Sequence, residues 1–140
     1  MHERARQFFL LYERANSCGD LSEIGSLYAD TFLFGGPQGV QAVRKEDFLK
    51  IVPKMKSQFS SMGLVETNLH SLETNPINTK YLLVKVRWIV RLQTSSQMKS
   101  LDAFATYVLA EANDGVLSIV FQIDHQNLAS SIRQLQDSGQ

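Results

Sequence analysis

The sequence predicts an α+β domain in which N-terminal helices pack against a curved, mainly antiparallel sheet. Three observations carry that expectation. Apolar residues in the first half of the chain recur at three- and four-residue spacing, the period of a helix. From Leu64 onward the period becomes two, that of strands with one buried face. The order is also segregated, helices first and then four long strands in succession, which favours α+β over alternating βαβ units.

The first helix runs from about Glu3 to Ser17, with Phe8, Leu11, Tyr12 and Ala15 along one face. Gly19 ends it. Asp20, with Glu23 three positions on, forms a capping box that starts a short helix carrying Leu21, Ile24, Leu27 and Tyr28 on its inner side. "TFLFGGPQG" follows as a short β segment closed by glycines and Pro37 into a loop. A third helix starts near Lys45, where Phe48, Val52, Met55, Phe59 and Met62 step by four, three, four and three, and Gly63 stops it. Pro53 removes one backbone donor within it, which predicts a kink or two short helices. The Phe and Met stripe reads as core rather than as a cofactor box, since Met fills irregular gaps in any helix–sheet core.

"LVETNLHSLET" is a strand of mixed polarity and "NPIN" a turn. In "KYLLVKVRWIVRLQ", Leu82, Val84, Val86, Trp88, Val90 and Leu92 share one face while Lys85, Arg87 and Arg91 lie on the other. "MKSLDAFATYVLAE" and "GVLSIVFQIDH" are two further strands, joined by the hairpin turn Asn113-Asp114-Gly115. At the end of the last strand, Asp124 and His125 point to opposite faces unless a bulge intervenes. Leu117, Ile119, Phe121 and Ile123 form an apolar face that must be buried, and His125 continues it. Asp124 follows Val116, Ser118, Val120 and Gln122 on a mixed face suited to solvent or a subunit contact.

A three-residue loop at Asn113–Gly115 sets His125 opposite Ala103, and a four-residue loop at Thr94–Gln97 sets Ala103 opposite Trp88. His125, Ala103 and Trp88 then make one rung on the inner face, with a small residue leaving space beside a polar tip, as a ligand pocket requires. His125 is the candidate base, weighed against a hydrogen-bonded structural histidine at a strand end. The pocket is expected to be lined by Tyr28, Phe32, Phe48, Trp88, Ala103, Tyr107 and Phe121.

Composition removes several function classes. The 140 residues suit one domain over 1–140, with a core of about 3–127 and a helical tail of about 128–136. The 14 lysines and arginines balance 14 aspartates and glutamates, so nothing favours nucleic acid or an anionic membrane. The apolar runs are too short to span a bilayer, and the charged start MHERARQ is not a secretory signal. The single cysteine, Cys18, fits a reducing cytoplasm. No metal or cofactor is expected: His2, His70 and His125 lack ligand spacing, and "GGPQG" lacks a phosphate-loop pattern. The run from Lys80 to Lys99 carries five basic residues and no acid, as a solvated sheet face or half of a dimer contact with acids such as Glu111 and Asp124. Ile89, between Arg87 and Arg91 and beside Tyr81 and Leu83, predicts a homodimer through the outer sheet face.

This layout resembles the nuclear transport factor 2-like superfamily across residues 3 to 127. Element order carries the resemblance, with two strings similar to segments of SnoaL-like members: "EDFLKIVPKMKSQFSSMGL" before the sheet and "FQIDHQNL" closing the last strand. It implies a cone-like barrel, the helices lying in the concave face of the sheet, an apolar pocket between them, and often a dimer through the outer face. For function it implies a pocket protein that binds or transforms a small apolar compound, by isomerase, cyclase or dehydratase chemistry. The alternative is a non-catalytic dimerisation or interaction module whose pocket is filled. Ketosteroid isomerases combine a buried tyrosine with two acidic groups and epoxide hydrolases use an Asp-Arg-Asp set. Asp102 alternates with Phe104 and Arg87 lies opposite Trp88, so the sequence assembles neither set on one face, and Tyr28, Tyr107 and Asp102 remain as possible polar groups.

Overall fold

The structure, a computed structural model, describes residues 2–18 and 20–138, with backbone alone for 137 and 138. In chain order it contains α1 (His2–Ser17), α2 (Leu21–Gly25), β1 (Tyr28–Gly36), β2 (Gly39–Arg44), α3 (Lys45–Ser61), β3 (Leu64–Pro76), β4 (Tyr81–Gln93), β5 (Met98–Glu111), β6 (Leu117–Asp124) and α4 (Leu128–Ser138). The strands form one curved, unclosed sheet in the order β2-β1-β6-β5-β4-β3, antiparallel throughout except where β1 runs parallel to β6. No helix among the described residues is long and apolar enough to cross a membrane.

The inner face of β4 is the floor of the core. All six of its alternating apolar residues, Leu82 to Leu92, are buried. Onto them α1 lays Ala5, Phe8, Phe9 and Ala15, with Phe9 fully enclosed. The expected stripe differs here, because Leu11 is half exposed. Phe8 to Tyr12 is an unbroken apolar run that fits two helix faces, and ring packing selects the one containing Phe9, whose centroid lies 4.7 Å from Tyr107. Gly19, expected to end α1, lies outside the described residues. Asp20 caps α2 as expected, its carboxylate accepting from Glu23 N at 3.0 Å, and that bond holds its pKa below the ordinary value. Leu21, placed on the inner side, is instead exposed.

Two further differences concern the middle of the chain. The glycine-rich stretch is not a free loop. It is the tight turn of a hairpin, with Gly36 opposite Gly39 and β2 pairing along β1 to Arg44. Gly39 adopts φ +119, a conformation other residues rarely take, so composition that reads as loop is here turn chemistry for two strands. Pro53 neither splits α3 nor ends it: the helix runs continuously through this exposed position to Ser61. Gly63, at φ +99, stops the chain as expected, and a Cβ there would sit 2.6 Å from Gln93 O.

The hairpins of β4, β5 and β6 follow the expected loops. Thr94 N donates to Gln97 O, Ala112 N donates to Val116 O, and Trp88 stands opposite Ala103. The rung fails at its third member. Leu109 pairs with Ile119 but Val108 pairs with Phe121, so Val120 is an extra residue, a β-bulge. Beyond it the faces of β6 exchange. Gln122 and Asp124 stand opposite Tyr107 and Ala105 on the inner face, while Phe121 and Ile123 join Val108 and Thr106 on the outer one. His125 N bonds Phe104 O, one residue from the expected partner.

Finally, α4 folds back onto the open end of the sheet. Ile132 is fully buried against Val90 and Leu92, with Phe59, Met62, Leu64, Leu101, Leu128 and Leu135 around it. Ala103 touches both this cluster and the main core.

Candidate functional site

Four elements bring hydrogen-bonding side chains to one place on the inner face. Tyr12 comes from the middle of α1, Tyr28 from the first residue of β1, Tyr107 from β5, and Gln122 and Asp124 from β6 beyond the bulge. The Tyr28 hydroxyl donates to Gln122 Oε1 at 2.7 Å and lies 3.1 Å from the Tyr12 hydroxyl. Gln122 Nε2 in turn donates to Asp124 Oδ1 at 3.1 Å, and Trp88 Nε1 donates to the Tyr107 hydroxyl at 3.3 Å. A polar chain therefore leads from Tyr12 to the Asp124 carboxyl through an otherwise apolar interior. Around it the rings of Phe9, Phe32 and Phe48 pack at centroid distances of 4.6 to 5.3 Å from Tyr107, Tyr28 and each other.

Burial sets the protonation of this chain. It pushes the Tyr28 and Tyr107 phenols well above 10.0, with the neighbouring phenols and Asp124 adding to the rise, and it raises Tyr12 as well. All three remain hydrogen-bond donors at physiological pH. The Asp124 carboxyl is also raised by burial, against the opposing effects of the Gln122 bond and the His125 charge. Among the described residues it forms no ion pair. A carboxyl so placed holds its proton more tightly than a surface acid and, once ionised, is the stronger base.

Of the residues expected to line a pocket, Tyr28, Phe32, Phe48, Trp88, Ala103 and Tyr107 do come together on the concave side. Phe121 does not: the bulge turns it outward, opposite Val108 and Leu33. His125 is moved by the same bulge. It is exposed on the outer side, its Nε2 2.7 Å from Thr106 Oγ1 and its ring stacked on Phe104 at 6.4 Å. Asp102 also lies on the outer face, paired with Arg87 at 3.0 Å. Sequence reasoning passed over Tyr12, Gln122 and Asp124 as polar members. Its one usable signal was the adjacent acid and imidazole, read with the wrong parity.

No family model matches the chain, and no curated protein matches it. Solved structures do. An NTF2-like protein of unknown function from Shewanella oneidensis superposes with a TM-score of 0.66 at 16% identity, over 87% of this chain and 96% of that one. An NTF2-like protein with a cystatin-like fold from Novosphingobium aromaticivorans gives 0.71 at 10% identity, over 93% and 86%. A protein from Catenulispora acidiphila, solved in complex with S-DNPA, gives 0.66 at 11% identity, over 86% and 90%. The chain has the NTF2-like, cystatin-like fold. Its neighbours in that fold include several proteins of unknown function, and the shared architecture assigns no reaction.

Proposed function

We propose that the concave face binds a small, largely apolar molecule carrying one polar group, with Asp124 as proton acceptor, the Tyr107 hydroxyl as hydrogen-bond donor, and Tyr12 and Tyr28 holding Gln122 against Asp124. The observation that carries this reading is Asp124 itself, a half-buried carboxyl with a raised pKa that forms no ion pair among the described residues, at the end of a chain of buried phenols. Structural needs do not account for such a group, since an apolar side chain there would avoid the desolvation cost. Proton abstraction beside a carbonyl, with the Tyr107 hydroxyl stabilising the developing oxyanion, is the chemistry this arrangement supports and fits isomerase, cyclase or dehydratase reactions. The proton-accepting role falls on Asp124 because His125 lies on the other face of the sheet. That a protein of this fold holds S-DNPA supports an organic ligand here. The exposed thiol of Cys18 fits a cytoplasmic setting.

The test is binding and exchange with a panel of cyclic enones and ketones. Trp88 emission should respond to a member of the panel, and the chain should catalyse exchange of that compound's acidic C–H in deuterated water. Asp124→Asn should lower exchange at least a hundredfold while leaving binding within a few-fold. Exchange that survives Asp124→Asn removes the carboxyl from the mechanism.

A second, compatible reading concerns the outer face. Val40, Leu33, Ile123 and Phe104 are all more than a third exposed there, with Arg87–Asp102 and Arg91–Glu66 pairs at the margin. A contiguous apolar strip with a charged margin is how a surface used by a second copy of the chain is built.

A further inference from the structure

We propose that α4 is a detachable plug, its Leu128, Ile132 and Leu135 side chains occupying in the free protein the space that an apolar ligand takes on binding. This rests on the small-molecule reading above and adds its regulation: the chain competes with its own ligand.

Three independent features point to it. First, α4 completes no part of the main core. Its buried residue Ile132 belongs to a separate cluster with Val90 and Leu92, on the same inner sheet face that carries Trp88. Ala103, the small residue opposite Trp88, is where the two clusters meet, so the room left by that alanine opens towards α4. Second, several of the polar ties of α4 gather around Gln126 at its start and Gln136 towards its end. Gln126, just before the helix, donates to Asp102 O at 3.1 Å and reaches Ser131 Oγ at 3.4 Å, and Gln136 bonds Met62 O near its end. Third, two clefts open beside α4. One, of about 270 Å³, lies between Gln136, Met62, Gly63, Gln93 and Lys99, and the other, of about 430 Å³, between Leu101, Asp102, Gln126, Ser131 and Gln134. A helix bordered by open clefts, whose fully buried side chain is Ile132, can leave without unfolding the sheet beneath it. It would uncover an aliphatic floor of Val90, Leu92 and Leu101 running towards Ala103 and Trp88. The ligand expected there has a hydrocarbon body comparable to the three side chains it replaces.

The probe is the apolar dye anilinonaphthalene sulfonate, with the intact chain. Saturating dye should speed amide hydrogen exchange across α4 while β4 and β5 stay protected, a measurement that needs no variant. Ile132→Asp, which opens the plug, should bind the dye at least tenfold more tightly, because the parent's apparent affinity is scaled down by the small fraction of molecules that are open. If Ile132→Asp also strips protection from β4, Ile132→Ala takes its place, with the same direction expected. Dye binding of equal strength in parent and variant, with α4 exchange unchanged, overturns the plug and leaves the ligand site standing. Failure of both parent and variant to bind the dye overturns the ligand site and the plug together.

Discussion

Tyr28→Phe tests the buried polar chain most directly. The substitution removes one hydroxyl and keeps the ring that packs 4.6 Å from Phe32 and 4.9 Å from Phe48, so the apolar packing is unchanged. What goes is the donor to Gln122 Oε1 and the acceptor for the Tyr12 hydroxyl, at 2.7 and 3.1 Å. Each such bond contributes about 1 kcal/mol net, and a buried partner left unsatisfied costs about 1–3 kcal/mol. Gln122 and Tyr12 are only part-buried or keep second partners, which places the expected loss near the low end, at about 2 kcal/mol. For 140 residues the unfolding entropy near the midpoint is roughly 0.3 kcal/mol/K, so the Tm should fall by about 7 °C. Calorimetry or urea melts followed by two probes give the value. The partner variant Gln122→Leu should cost a similar amount alone, and the double variant Tyr28→Phe with Gln122→Leu should cost clearly less than the sum, by about 1 kcal/mol or more, because both ends of the bond then disappear together. A Tyr28→Phe loss under about 0.5 kcal/mol, or strict additivity in the double variant, would show that the chain of hydroxyls is not formed, and the proposed site would lose what holds Gln122 against Asp124.

Four other positions give further predictions. Because the Asp124 pKa is raised in the folded state, the folded chain holds that proton more tightly than the unfolded one. Stability should therefore decline as pH rises from 3.8 through the folded value; Asp124→Asn should be the more stable protein above that window and lose its advantage below it, read as Tm against pH. Gly63→Ala should destabilise by about 2–4 kcal/mol, since it combines an unfavourable φ of +99 with a Cβ 2.6 Å from Gln93 O; a loss under about 1 kcal/mol would mean that the turn relaxes freely. On the outer face, Ile123→Glu and Ile89→Glu should each convert a dimer to monomer in sedimentation at micromolar concentration without lowering the Tm of the folded subunit by more than a few degrees. A parent chain that sediments only as monomer at high micromolar concentration refutes the dimer.

Much of this fold can be read from local chemistry. The buried face of β4, the cap at Asp20, the stop at Gly63, the hairpin at Asn113–Gly115 and the pairing of Trp88 with Ala103 all follow from period, cap and turn residues acting over a few positions. Such signals survive because each is decided by residues adjacent in the chain. The hairpin of β1 and β2 was present in the same way, but its glycines and Pro37 equally describe a loop, and only a neighbouring strand to pair with separates the two.

The polar centre was settled elsewhere. Period two along β6 puts His125 inside and Asp124 outside, and that is the correct reading of an unbroken strand. The strand is not unbroken. It must match antiparallel β5 on one side and parallel β1 on the other, and the extra residue at Val120 that accommodates this exchanges every side chain after it between faces. Sequence alone determined the four long strands of the second half and which face of β4 is buried. Tertiary structure decided that Asp124, Gln122 and three tyrosines from separate elements share one interior, because a one-residue shift between paired strands costs little backbone energy and reverses which side chains meet.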